Sequence, residues 1–92
     1  MIVYMEIEGI IFESTSLKEK RSVIQSLIDT IRAHFNVSVA EIEYQNVWQR
    51  TKIGIAIVTN EIRFGEQVMQ KIQTKIDNNA QFETTNADIE YL

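Results

Sequence analysis

The stretch Ile53-Gly54-Ile55-Ala56-Ile57-Val58-Thr59 is nearly unbroken apolar, with the small Gly54 and Ala56 set between β-branched residues. A run of that length and composition fits a strand buried on much of both faces, in the interior of a sheet. Upstream, Val37 to Tyr44 alternates apolar with polar residues, a strand with one wet face, and Gln45 to Thr51 is a polar stretch around the single Trp48. Ile2 to Phe12 alternates in the same way. Val3, Met5, Ile7 and Ile11 fall on one side, and Ile2, Tyr4, Glu6 and Glu8 on the other.

Between the first two strands the period changes. Leu17, Ile24, Leu27, Ile28, Ile31 and Phe35 recur at threes and fours, the stripe of an amphipathic helix that Asn36 can end. After the apolar strand, Asn60 can cap a second helix, striped by Ile62, Gly65, Val68, Met69, Ile72 and Ile76 and ended by Asp77-Asn78-Asn79. Phe82 to Leu92 reads as a final, more polar strand. The order strand, helix, strand, strand, helix, strand is the split βαβ pattern of the ferredoxin-like class. Residues 1–92 then make one α+β domain: a four-stranded antiparallel βαββαβ sheet with two helices on one face and the first and third strands central.

Composition narrows the function. The chain has 92 residues, 45% hydrophobic and 24% charged, with a net charge of −4. That is ordinary for a soluble domain, and the net charge weighs against gripping nucleic acid through an overall field. No apolar run reaches a membrane span, and the N-terminal residues lack the basic start of a signal peptide. With no cysteine there is no disulfide, thiolate nucleophile or thiolate metal site, so a cytoplasmic protein is expected. Six of the nine basic residues lie between Lys18 and Lys52, so a local basic patch remains open.

Two short segments are candidates for contact. Ser16 and Glu19 have capping-box spacing, but Lys18, Lys20 and Arg21 crowd the same first turn, where cations oppose the helix dipole. Such residues could hold a phosphate or RNA backbone, with Lys18 and Arg21 on one side and Lys20 off it. The alternative is a merely solvated surface. In the loop, Trp48 could stack on a base or fold back to close one end of the core, while Gln49 and Arg50 are better placed to reach outward. The sheet itself offers little to RNA, since the third strand has no aromatic residue and Tyr4 stands beside Glu6 and Glu8.

Nothing points to catalysis. His34 is the only histidine and has no partner at catalytic or metal spacing, and Glu41 and Glu43, on one face of an alternating strand, read as solubilising. Phe12-Glu13-Ser14-Thr15-Ser16 lacks the glycine-rich, arginine-bearing character of a phosphate-cradling loop. No enzyme, metal or cofactor is expected. The second strand, Val37–Tyr44, would be an apolar sheet edge, open to a partner protein or a homodimer.

Taken together, Ser16-Leu17-Lys18-Glu19-Lys20-Arg21, Phe35-Asn36-Val37-Ser38-Val39-Ala40-Glu41, Trp48-Gln49-Arg50 and Gly54-Ile55-Ala56 resemble the YlxP-like family of small bacterial proteins, a domain of unknown function. The resemblance covers about two-thirds of the chain. It implies a ferredoxin-like fold and a gene neighbourhood among translation and ribosome-maturation factors, including ribosome-binding factor A. It carries no catalytic residues. From it and the local basic cluster comes the expectation of an accessory protein contacting ribosomal RNA or ribosome-assembly factors through Lys18, Lys20, Arg21, Trp48, Gln49 and Arg50.

Overall fold

The computed structural model describes all of residues 1–92. Its elements are β1 (Ile2–Ile11), α1 (Leu17–His34), β2 (Ser38–Glu43), β3 (Arg50–Val58), α2 (Ile62–Asp77) and β4 (Phe82–Tyr91). The four strands form one antiparallel sheet in the order β2-β3-β1-β4. The apolar third strand is therefore central, as its composition requires, and the fold is the ferredoxin-like βαββαβ arrangement. No helix is long and apolar enough to cross a membrane.

Alternation decides which face carries the helices. Val3, Met5, Ile7 and Ile11 of β1 and Ile53, Ile55 and Ile57 of β3 are buried with Ile24, Leu27, Ile28 and Ile31 of α1 and Met69, Ile72 and Ile76 of α2. The even-numbered residues of β1 and β3 face away from this core, and no element covers them. Phe82, at the start of β4, closes one end. Its ring occupies the space above Gly9, where a Cβ would meet Phe82 carbons at 2.1–2.7 Å. A bulge between Glu8 and Gly9 in the β1–β4 pairing marks the same spot.

The helix starts differ from the sequence reading. At α1, Ser16 caps as expected, its hydroxyl accepting from the Glu19 N–H at 3.2 Å. The reciprocal half of the box is shifted by one residue, because the Glu19 carboxylate accepts from the N–H and hydroxyl of Thr15, at 2.8 and 2.9 Å. Those bonds hold the carboxyl below its ordinary value of 4.5. A carboxyl depressed in the fold contributes stability above its unfolded value and loses it as pH falls through the folded one. The Thr15 amide proton should therefore shift in an NMR titration with a midpoint below 4.5, and Glu19→Gln should abolish that step. At α2 the cap position is Glu61, not Asn60, and it makes no side-chain cap bond. The Glu61 N–H donates instead to the Thr59 hydroxyl, which turns the chain into the helix without Asn60.

Candidate functional site

The end of the sheet where β1 finishes and β3 begins gathers both predicted segments. Ile10 pairs with Arg50, so the β2–β3 loop lies beside the turn that leads into α1. Lys20 makes the connection. Its side chain is fully buried, with the ammonium 2.6 Å from the Tyr44 carbonyl and 2.7 Å from the Glu41 carboxylate. Thr51 also donates its hydroxyl to Glu41. Lys20 thus corrects the expectation of an RNA- or anion-binding residue, because no ligand can reach it. Its position explains why: four residues before Ile24, it continues the inward stripe of α1.

The carbonyl that Lys20 holds belongs to a residue in left-handed backbone, Tyr44 with φ 65. For a non-glycine residue that conformation costs on the order of 1–3 kcal/mol. The charge-assisted bond from Lys20 offsets part of it, and the same carbonyl accepts the Val47 N–H at 3.0 Å. The result is a fixed start for the loop that presents Val47, Trp48 and Gln49.

Trp48 is 45% exposed and outside the core cluster, so it does not close the end of the core; Phe82 does. Gln49 is exposed, and its carbonyl accepts the Ile11 N–H at 3.0 Å. Arg50 is the first residue of β3 rather than part of the loop. Its guanidinium lies 4.2 Å from the centre of the Tyr44 ring and 3.4 Å from Glu8, so it is half committed to its own protein. Lys18 and Arg21 are both exposed, on one side of the first turn as their spacing requires. Arg21 lines a cleft of about 380 Å³ between α1 and β2, with Gln45 and Glu41 at its loop end. The groups free to meet a ligand here are Lys18, Arg21, Trp48 and Gln49.

A second correction concerns Glu41 and Glu43. A register shift between them sends the two carboxylates to opposite faces, Glu41 to Lys20 and Glu43 towards Lys52 at 3.5 Å. They form no pair. The proposed edge is also shorter than expected, Ser38–Glu43, and the Arg32 guanidinium donates to its Val39 carbonyl at 3.1 Å. That bond occupies an acceptor an added strand would need. His34, in the last turn of α1, has Nδ1 2.8 Å from the Thr30 carbonyl.

The family described as "Protein of unknown function (DUF503)" matches residues 2–89, which takes in both segments and the whole sheet but for the last residues of β4. An uncharacterized protein, YlxP of Bacillus subtilis (strain 168), is 41% identical over 85 residues, 92% of each chain. With the match running through every element of the fold, this chain belongs to the DUF503 family.

Proposed function

We propose that this chain is a non-enzymatic accessory protein whose loop end contacts structured RNA, with ribosomal RNA and ribosome-assembly intermediates as the particles to test. One observation carries the reading. The buried Lys20 ties the first turn of α1 to the β2–β3 loop, so two segments far apart in sequence share one end. Lys18 and Arg21 supply phosphate contacts there, and Trp48 offers an exposed ring for a base to stack on. Gln49 adds a hydrogen-bonding side chain, and Arg50 can join when it leaves Glu8. The gene company that the family resemblance implies points the same way.

Lys18→Glu with Arg21→Glu tests this. The double variant should keep or slightly raise the melting temperature, because acidic residues suit a helix N-terminus and Ser16 and Glu19 still cap it. Binding to structured ribosomal RNA at low salt should weaken by about tenfold or more, and the slope of log affinity against log salt should shrink by about two. A folded double variant that keeps its RNA affinity, or a wild-type protein that neither binds such RNA nor sediments with ribosomal particles, removes the proposal.

A protein-interaction module or homodimer joined at the second strand has weaker support. The bulge, the short pairing length and the Arg32 bond all guard that edge.

A further inference from the structure

The sheet face without helices has an electrical character unlike the rest of the molecule. The register places Glu6, Glu8, Glu43, Glu83, Asp88 and Glu90 on it, with Arg50 and Lys52 as its only cations. The other seven carboxylates and seven cations of the chain cancel, so the whole formal charge of −4 sits on this one face. Lys52 lies 3.4 Å from Glu8 and 3.5 Å from Glu43, and Arg50 also leans on Glu8. Both cations therefore stand at the loop end. The half of the face bearing Glu6, Asp88 and Glu90 has no cation of its own: Lys52 is close enough to act on Glu6 and Tyr4, but its ammonium is held between Glu8 and Glu43.

That half is also apolar. Val58 is 81% exposed and pairs with the exposed Ile2, and Ala56 pairs with Tyr4. Tyr4 lies across Gly54, its hydroxyl 2.7 Å from where a Cβ would be, and Ile42 flanks the same spot at 3.3 Å. Ile2, Tyr4, Ala56, Val58 and Ile42 thus form a low apolar strip on β1, β3 and the β2 bulge, beside the acidic side chains of β1 and β4. Burial and the neighbouring Glu6 and Glu90 push the Tyr4 hydroxyl above its ordinary value of 10.0, as a negative surface should.

We infer that this open sheet face docks a basic amphipathic segment of a protein partner, its apolar stripe on the strip around Tyr4 and Val58 and its lysines and arginines against Glu6, Asp88 and Glu90. An open sheet with an apolar strip is completed most simply by another layer, and an excess of negative charge beside the strip selects a cationic one. The same charge repels a phosphate chain, which keeps this surface separate from the loop end. A second copy of the chain would bring an equal charge of the same sign to the face.

The test uses the full chain and a synthetic amphipathic helix of leucine and lysine as probe, with a leucine–glutamate helix as control. Two double variants raise the net charge equally: Asp88→Lys with Glu90→Lys on the face, and Asp29→Lys with Glu61→Lys on the helix layer. The leucine–lysine helix should bind the wild type, more weakly as salt rises, and move the amide resonances of Tyr4, Ala56, Val58 and Asp88. The face variant should bind about tenfold more weakly or worse, and the helix-layer variant within about twofold of wild type. Equal weakening in both variants would show that net charge alone attracts the probe, and would overturn the assignment. So would equal binding of the leucine–glutamate helix, resonance shifts confined to other surfaces, no binding, RNA mapping to this face, or a dimer that buries it. Lys18→Glu with Arg21→Glu should leave probe binding no weaker, so this result and that for the loop end can fail independently.

Discussion

Replacing Lys20 with methionine is expected to lower the free energy of unfolding by about 3 kcal/mol, because it strips the mostly buried Glu41 carboxylate of its counter-charge and the Tyr44 carbonyl of its charged donor. The apolar stem of methionine fills the same channel, so lost packing contributes little. In a domain of this size the melting temperature should fall by roughly 10–20 °C. The loss comes from stranding a charge, so Glu41→Gln added to the lysine variant should recover part of it. The Thr51 hydroxyl keeps an acceptor, and no uncompensated charge remains. Urea titrations of both single variants and the double variant close the cycle. A favourable coupling near zero would mean that Lys20 acts by volume alone. The same variant should loosen the β2–β3 loop, visible as increased solvent exposure of Trp48 fluorescence in protein that is still folded.

Gly9→Ala is expected to cost about 2–3 kcal/mol, although alanine is the smallest change a glycine can undergo. The added carbon would stand 2.1 Å from the tip of the Phe82 ring, which is 4% exposed and anchored at the start of β4. The ring cannot tilt outward without opening the end of the core over Ile11, its pairing partner. Phe82→Leu alone should also destabilise, by leaving a cavity. Combined with Gly9→Ala it should cost clearly less than the two separately, since each change then relieves the other. Additive losses in chemical denaturation would place the strain elsewhere, in the bulge between Glu8 and Gly9.

The element order and the central place of β3 could be read from the sequence because both rest on periodicity, and periodicity reports burial directly. The candidate site was only half legible, because its key contacts violate periodicity. Lys20 looks like one more cation in a basic turn. Only its place on the stripe of Ile24, Leu27 and Ile31 marks it as inward, and a charge there is intelligible only once Glu41 is known to face it. Glu41 follows Val39 inward by plain alternation, but Glu43 would follow it too, and the bulge that turns Glu43 to the opposite face leaves no mark in composition. Asn60 resembles a better cap than Glu61, yet the Thr59 hydroxyl takes the Glu61 N–H and decides where the helix begins. The charge of the open face was hidden for a related reason. Its carboxylates come from three strands spread along the chain, and only the register sets them side by side.

The strand order also has a consequence in time. β1 is synthesised first, but its neighbours arrive later, since Ile2 pairs with Val58 and Val3 with Tyr91. A growing chain therefore holds an extended, alternating strand with Val3, Met5 and Ile7 on one side and no native edge to join until β3 emerges. Half of that strand stays open until Tyr91 is made. Such a wait is slow because it depends on distant contacts, and it invites pairing with other chains. Glu6 and Glu8 interrupt the strand with charge, and an approaching copy in register would meet like with like. The side chains that charge the open face of the finished sheet thus also shield the unfinished one.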